Sequence, residues 1–242
     1  MRKIVLFVSV LLMAGLLHAQ DVKLKITHLT GDCYVYTTWK VMDGGGAPYP
    51  SNSLYVVTTK GVVMIDTPWD TTQFQPLLDS IEARHHQKPV LCISTHFHAD
   101  RTAGLDFLKQ HGVATWSSAM TKQFCIERNE KQAANTFTKD TTFKIGNHTF
   151  STFYPGEGHT KDNILVWFGK EKVLYGGCFI KSTETDNLGN IADANVKAWP
   201  ASCQKALQRF KDAVYVIPGH MGWESNQGLQ HTLKLAQSQL AK

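Results

Sequence analysis

The chain has 242 residues, with 25 basic and 20 acidic side chains and a formal net charge of +5 at neutral pH. This mild charge is not gathered into a basic block, so the composition gives no reason to expect nucleic acid or a membrane surface as a partner. The length suits one domain with a sizeable core or at most two small ones. No Pro/Ser/Gly-rich linker, low-complexity tract or fixed-period repeat divides the chain.

Residues 1–19 have the pattern of a secretory signal peptide. Arg2 and Lys3 form a positive start, residues 4–17 are an apolar run, and the small residue Ala19 is a plausible cleavage site before Gln20. The run is too short to span a bilayer comfortably, and no Cys follows it to accept a lipid. We therefore expect a secreted or periplasmic protein, with a single domain over residues 20–242 and no membrane association after cleavage.

The five cysteines are an odd number and are scattered, which is not the spacing of a disulfide framework. Four of them lie in apolar contexts, where a free Cys commonly acts as a small core residue: Cys33, Cys92, Cys125 and Cys203. Cys178 differs, because it follows two glycines at the end of a predicted strand.

The first part of the chain predicts β-strands at 22–28, 33–40, 54–58 and 62–65, from alternation and from β-branched and aromatic residues. A glycine-rich hairpin tip, 42–48, lies between the second and third strands and would be a substrate flap if it overhangs a site. Asp66 ends the fourth strand, where we favour a structural role. Apolar residues at helical spacing then predict a helix, with its apolar face at Phe74, Leu77, Leu78 and Ile81.

The same reasoning continues along the chain. It predicts strands at 89–93, 113–116, 141–145, 148–153, 164–168, 172–175 and 214–217, and helices at 104–112, 119–131, 199–210 and 227–240. Strands in two batches, each followed by helices, indicate two β-sheets that face each other with helices outside, an α/β fold.

Potential metal ligands cluster immediately after the predicted strand at 89–93. His96, His98 and Asp100 fall within five residues. The two histidines would project to the same side if the strand direction persisted, and Asp100 follows on a turn. Few short segments bring three ligands together at so small an entropic cost of chain closure.

His159, Cys178 and His220 also lie just beyond predicted strands, so the six side chains share one kind of position. Strand ends at one edge of a sandwich can converge, and sites are commonly built there. Three imidazoles, from His96, His98 and His159, suit zinc and leave a fourth position for water. Asp100, Cys178 and His220 offer a second site whose oxygen, sulfur and nitrogen donors also suit Zn²⁺. Two such cations, about 3.5–4 Å apart, could share a hydroxide.

A serine nucleophile is the competing interpretation. Residues 202–205, Ser-Cys-Gln-Lys, match the S-x-x-K pattern of serine β-lactamases. No S-D-N or K-T-G accompanies the match, and the tetrapeptide lies inside a predicted surface helix. We interpret it as a chance match.

The chain resembles the metallo-β-lactamases of subclass B1. The resemblance is carried by His-Phe-His-Ala-Asp at 96–100, the glycine-flanked His159, Gly-Cys at 177–178 with Lys181, and Gly-His at 219–220. The stretches 65–69 and 189–200 support it, and it spans essentially the whole mature chain. Other hydrolases of the superfamily usually have a His directly after the Asp and a bridging carboxylate later. Here Arg101 follows Asp100 and Cys178 supplies a thiolate, which favours subclass B1.

The resemblance implies a four-layer αββα sandwich, with two mixed β-sheets and helices on the outer faces. It implies two Zn²⁺ ions per chain, the first held by His96, His98 and His159 and the second by Asp100, Cys178 and His220. It also implies that Lys181 pairs with the substrate carboxylate. Asn190 would hold the lactam carbonyl as negative charge develops on its oxygen, so Asp100 and Asn190 are the expected catalytic residues.

The function expected from the resemblance is zinc-dependent hydrolysis of the β-lactam ring amide by metal-bound hydroxide, which confers antibiotic resistance. We expect a monomer that acts on penicillins and cephalosporins and, through an open two-metal site with a glycine flap, on carbapenems. Two alternatives stay open. One is another hydrolase of the superfamily, a thioesterase or lactonase, and the other is a non-catalytic zinc-binding homologue.

Overall fold

The computed structural model of the protein describes residues 24–241, so the predicted signal peptide at residues 1–19 lies outside the described residues. The strands are β1 (Leu24–Thr30), β2 (Cys33–Lys40), β3 (Tyr49–Thr58), β4 (Gly61–Ile65), β5 (Pro89–Ser94), β6 (Ala114–Ser118), β7 (Asn135–Phe137), β8 (Thr142–Ile145), β9 (His148–Phe153), β10 (Leu165–Phe168), β11 (Val173–Gly177) and β12 (Tyr215–Pro218). The α-helices are α1 (Phe74–His85), α2 (Ala99–Thr102), α3 (Leu105–Gln110), α4 (Ala119–Glu127), α5 (Trp199–Arg209) and α6 (Gly228–Leu240). Within this range no helix combines the length and apolar character needed to cross a bilayer.

The strands form two mixed sheets. The seven-stranded sheet runs β1-β2-β3-β4-β5-β6-β7, and its pairs are antiparallel as far as β4 and parallel from β4 to β7. The five-stranded sheet runs β12-β11-β10-β9-β8, and only its β11–β12 pair is parallel. The parallel pairs are those whose strands are joined by helical connections, as parallel pairing requires.

The main core lies between the two sheets. Because side chains alternate along a strand, every second residue faces inward: Val35, Leu54, Val63 and Ile93 in the first sheet and Phe150, Val166, Tyr175 and Ile217 in the second. Phe150 lies between two other rings, with centroid distances of 5.4 Å to Phe143 and 4.9 Å to Phe168. This buried aromatic stack runs across β8, β9 and β10 of the five-stranded sheet and forms part of the core on its inner face.

Helices cover both outer faces. On the seven-stranded sheet, Leu77 and Ile81 of α1 and Leu105 of α3 pack against Met64 of β4. On the five-stranded sheet, α5 and α6 bury their apolar faces against Leu165 and Leu174 through Trp199, Cys203, Ala206, Leu229 and Ala236. The predicted helix–sheet–sheet–helix sandwich is therefore confirmed. The four cysteines predicted as core residues, Cys33, Cys92, Cys125 and Cys203, are buried and free.

Three local predictions were wrong. The helix predicted over 119–131 ends at Glu127, because Asn129 takes a left-handed φ of 56° and the Glu130 N–H donates to the Cys125 carbonyl at 2.8 Å. Strand β7 follows and was missed, since three residues are too few for a periodic signal. Strand β3 begins at Tyr49 rather than 54, where Pro, Ser and Asn hide the strand pattern.

We expect Phe150→Ala to lower the free energy of unfolding by about 3–5 kcal/mol, because it leaves a cavity between two stacked rings. Equilibrium urea unfolding followed by circular dichroism measures the change. Ile126→Ala, at a side chain that is 53% exposed on α4, is the control and should shift stability by no more than about 0.5 kcal/mol. Equal losses in the two variants would contradict this account of the core.

Candidate metal centre

All six predicted ligands converge where strands end. His96 and His98 follow β5, and Asp100 lies in the first turn of α2. The other three follow β9, β11 and β12: His159, Cys178 and His220. Below, His96, His98 and His159 are the histidine group, and Asp100, Cys178 and His220 are the mixed group.

The backbone conformation at His96 and His98 differs from the continued strand that the sequence suggested. Strand β5 ends at Ser94, so the strand direction does not carry through His96 and His98. His98 is the N-cap residue of α2, in an extended conformation, and the turn of the chain sets the two rings at 80° with centroids 4.9 Å apart. A carboxylate holds this turn, because Asp66 accepts hydrogen bonds from Thr95 N at 2.7 Å and Thr95 Oγ1 at 2.8 Å. This agrees with the structural role predicted for Asp66.

One ring nitrogen of each residue in the histidine group faces the same small space. One nitrogen from each ring lies within 4.8 Å of the others, and His98 Nδ1 is 3.2 Å from His159 Nε2. His96 Nε2 is buried and has no hydrogen-bond partner among the described residues. A buried polar atom without a partner is costly, so this nitrogen is the orphan that a metal ion would satisfy.

The mixed group is equally compact. Asp100 Oδ2 lies 3.1 Å from His220 Nε2 and 3.2 Å from Cys178 Sγ, and the last two atoms are 3.1 Å apart. His220 Nδ1 donates to the Pro50 carbonyl at 2.8 Å, so its Nε2 is the nitrogen with a lone pair facing the group. The two groups adjoin, because His96 Nε2 is 3.8 Å from Asp100 Oδ1.

The environment sets each donor's protonation. Burial lowers the pKa of His96, His159 and His220, which keeps the imidazoles neutral, the form that binds metals. Burial alone would raise the pKa of Asp100, but the adjacent Arg101 guanidinium holds it well below its usual range. Burial raises the pKa of the Cys178 thiol, so the thiol loses its proton only when a cation takes the proton's place.

Arg101 contacts the mixed group in a way that the sequence did not reveal, where it served only to distinguish this chain from other hydrolases of the superfamily. Its side chain is fully buried, and Nη1 donates to the Asn52 carbonyl at 2.7 Å, while Nη2 donates to the Gly219 carbonyl at 2.9 Å. Nη2 also lies 2.9 Å from Asp100 Oδ2 and 3.0 Å from Cys178 Sγ. Arg101 therefore holds Asp100 and Cys178 of the mixed group in place from the buried side, away from the cleft.

Asp193 was missed as well, because the sequence showed it only as part of the supporting stretch 189–200. Its Oδ2 lies 3.0 Å from His98 Nε2, and its Oδ1 accepts a hydrogen bond from Arg128 Nη2 at 2.7 Å. With Nε2 used as the donor, His98 presents Nδ1 to the histidine group.

A cleft of about 480 Å³ opens above the two groups. Five of the six predicted ligands line it, together with Met42, Tyr49, Trp69, Ala99, Lys181, Gly189 and Asn190, while His96 lies beneath. Met42 belongs to the glycine-rich hairpin between β2 and β3, so this hairpin overhangs the predicted ligands, as a flap would.

Lys181 and Asn190 both line the cleft. Lys181 is half-buried, with Nζ 5.3 Å from the centre of the Trp199 ring. Asn190 lies in an exposed loop, where its Oδ1 accepts a hydrogen bond from Ala192 N at 3.1 Å. Because this turn uses the oxygen, the amide NH₂ of Asn190 is the part left to meet a ligand.

The competing serine motif has a structural explanation. Ser202 is buried on the inner side of α5, where its Oγ donates to the Glu157 carbonyl at 2.7 Å, and Lys205 is exposed. The hydroxyl therefore ties α5 to the loop that carries His159, in line with a chance match to S-x-x-K.

The two groups fit divalent metal ions. Three neutral imidazoles are a donor set that zinc accepts while keeping a position open, and carboxylate, thiolate and imidazole are a second such set. The orphaned His96 Nε2 and the ionised Asp100 both point to a positive ion in the space between them.

We expect Arg101→Ala to destabilise the metal-free protein by about 3–5 kcal/mol, because it leaves the buried Asp100 carboxylate uncompensated. Chemical denaturation measures the loss. Arg101→Met restores most of the volume without the charge and should remain nearly as unstable, whereas Arg84→Ala at an exposed site is the neutral control. A stable Arg101→Met protein would show that packing, and not charge, is what Arg101 provides.

Comparisons with known proteins agree with the geometry. The sequence model of the Metallo-beta-lactamase superfamily matches residues 46–220. A "Metallo-beta-lactamase type 2" of Elizabethkingia meningoseptica is 41% identical over 88% of this chain and 85% of its own length, and "Metallo-beta-lactamase IND-1" of Chryseobacterium indologenes is 38% identical over 86% of each. The crystal structure of metallo-beta-lactamase IND-7 superposes with a TM-score of 0.85 at 36% identity, covering 90% of this chain and 99% of that one. The chain belongs to the metallo-β-lactamase superfamily and groups there with the enzymes of subclass B1.

Proposed function

We propose that the protein is a zinc-dependent β-lactamase that hydrolyses the ring amide of penicillins, cephalosporins and carbapenems and so confers resistance to them. The observation that carries the proposal is the pair of adjoining donor groups at the floor of an open cleft, with a cation and an amide donor on its wall. Relatives at 38–41% identity over most of the chain bear the name metallo-β-lactamase.

Two zinc ions are proposed, one held by the histidine group and one by the mixed group. When bound, zinc supplies Lewis acidity and lowers the pKa of water to about 7, so that a nucleophile exists at neutral pH. The protein's part is to keep the imidazoles neutral by burial and Asp100 ionised by Arg101.

Asp100 has two oxygens with different surroundings. Oδ2 meets Arg101, His220 and Cys178, whereas Oδ1 has the neutral His96 ring beside it, with Nε2 at 3.8 Å. Oδ1 is therefore the atom that we assign to accept a hydrogen bond from the attacking water and orient it. This is the catalytic role proposed for Asp100.

Lys181 and Asn190 are the proposed substrate contacts. The Lys181 ammonium, packed over Trp199, would pair with the carboxylate that penicillins, cephalosporins and carbapenems carry. The Asn190 amide would donate to the lactam carbonyl oxygen as negative charge develops there. Together they would place the scissile amide over the two donor groups.

The glycine-rich hairpin is proposed to close over a bound substrate. Gly44, Gly45 and Gly46 have φ angles of 102°, 82° and 107°, which L side chains rarely adopt, and the exposed Met42 and Tyr49 flank them. An apolar flap of this kind would shield the reacting amide from bulk water.

The proposed cellular setting follows from residues 1–19. We propose that they direct export to the periplasm and that residues 20–242 act there as a single monomeric domain. Its partner is the small-molecule β-lactam, with no nucleic acid or membrane partner.

We expect removal of metal to abolish activity. Dialysis against a chelator should eliminate hydrolysis of a chromogenic cephalosporin, and added Zn²⁺ should restore it, with elemental analysis giving two zinc ions per chain. Activity that survives complete metal removal would rule the mechanism out.

The control is a panel with and without added zinc: a penicillin, a cephalosporin, a carbapenem, a glutathione thioester and a lactone. Turnover of the three β-lactams and not of the esters is expected. The reverse pattern would identify the superfamily thioesterase or lactonase, and zinc binding without any turnover would identify a non-catalytic homologue.

Lys181→Ala should raise KM for these substrates by about tenfold to a hundredfold, because a charge-assisted hydrogen bond contributes about 1.5–3 kcal/mol. Since the contact forms on binding, kcat should change much less. Steady-state kinetics test this against Lys205→Ala, an exposed lysine on α5. An unchanged KM for Lys181→Ala would remove Lys181 from the substrate contacts.

A further inference from the structure

We propose that Arg128, at the end of α4, is a positioning residue that acts through Asp193 to fix His98 for metal binding. The inference rests on the proposed function, in that it concerns how the histidine group is prepared for zinc. Arg128 lies outside the cleft and touches none of its predicted ligands.

A single carboxylate joins the two side chains. Asp193 Oδ2 lies 3.0 Å from His98 Nε2, and Asp193 Oδ1 lies 2.7 Å from Arg128 Nη2. The Asp193 side chain is 20% exposed and the His98 side chain 19%, whereas that of Arg128 is 57% exposed. The Asp193 carboxylate is thus mostly buried. One of its oxygens contacts His98 in the site, and the other contacts Arg128 at the surface.

The His98–Asp193 contact decides which imidazole nitrogen is available. A hydrogen bond from Nε2–H to the carboxylate places the lone pair on Nδ1. That atom faces the histidine group, 3.2 Å from His159 Nε2. If Asp193 turned away, Nε2 would lose its acceptor and the ring would be free to change tautomer or rotate.

Arg128 is held well enough to keep Asp193 in place. Helix α4 ends in a tight turn at this residue, where Asn129 N donates to the Ile126 carbonyl and Glu130 N donates to the Cys125 carbonyl. The Arg128 guanidinium also lies over the Phe97 ring, with Cζ 5.7 Å from its centre. Phe97 precedes His98, so Arg128 contacts the ligand-bearing segment directly at Phe97 and, through Asp193, at His98.

Asp193 has little else to hold it. Its loop also carries Asn190 and is tied to the rest of the protein two residues later, where Asn195 N donates to the Gly158 carbonyl at 2.9 Å. Without Arg128, the Asp193 carboxylate would keep only His98 as a partner and would gain hydration by turning outward. Arg128 therefore contributes to the site by keeping the Asp193 carboxylate turned toward His98.

The first test is the affinity of metal-free protein for Zn²⁺, titrated against a competing chromophoric chelator. Partners of metal-bound histidines typically contribute 10- to 100-fold in affinity. We expect Arg128→Ala to weaken one of the two binding steps about tenfold and to leave the other within about twofold, and Arg128→Lys to recover part of the loss. Arg209→Ala, at an exposed arginine in the last turn of α5, should bind as the wild type does.

A double-mutant cycle of Arg128→Ala and Asp193→Ala tests whether Arg128 acts by orienting Asp193 or only through the effect of its positive charge on the site. If Arg128 acts through Asp193, Arg128→Ala should weaken binding less than twofold further in an Asp193→Ala background. A second full loss of about tenfold in that background would overturn the proposal, as would wild-type affinity in Arg128→Ala alone.

The final readout needs neither bound metal nor turnover. In ¹⁵N-labelled metal-free protein, the His98 Nε2–H proton should be protected from exchange with water in the wild type and in Arg209→Ala, and exchange faster in Arg128→Ala. If the wild type proves inactive on every β-lactam but shows this difference, the proposed function fails and the positioning role stands. If it is active and the exchange rates are equal, the positioning role fails alone.

Discussion

A buried guanidinium connects the two sheets to the candidate metal centre. Arg101 reaches from the Asn52 carbonyl in β3 to the Gly219 carbonyl after β12, and its charge is matched by Asp100 at 2.9 Å and by Asp66 at 3.6 Å. An ion taken out of water costs several kcal/mol unless it is paired and hydrogen-bonded. If the strand ends of the two sheets moved apart, the buried Arg101 guanidinium would lose its hydrogen-bond acceptors. The spacing of the predicted ligands therefore depends on the contacts of Arg101.

The same burial that makes Arg101 necessary prepares the donors. It lowers the pKa of three of the imidazoles and raises that of the Cys178 thiol, whereas Arg101 keeps Asp100 ionised. The mixed group thus holds one carboxylate balanced by one guanidinium, and a thiol that still carries its proton. A divalent cation would replace that proton, so metal uptake by this group is coupled to proton release.

Most elements could be predicted because their signals are local. The strand at 33–40 and the helix with Phe74, Leu77, Leu78 and Ile81 show periodicities that a buried face imposes on a few adjacent residues. Two of the failures came where the local pattern was weak: β7 has three residues, and Pro, Ser and Asn lie near the start of β3. Both are strands because they pair with β6 and β2, which is a tertiary fact.

The sequence by itself determined the sandwich architecture and the six side chains that meet at its edge, because each lies beside a strand end with a local signature of its own. Only the tertiary structure decided which other residues contact and orient these six side chains. It placed Arg101 against a carbonyl 118 residues away, and Asp193 between His98 and Arg128. Neither residue differs locally from an ordinary surface charge, since burial and hydrogen-bond partners are set by chain segments distant in sequence. The identity of the candidate ligands is therefore a local property, and their orientation and protonation are properties of the folded chain.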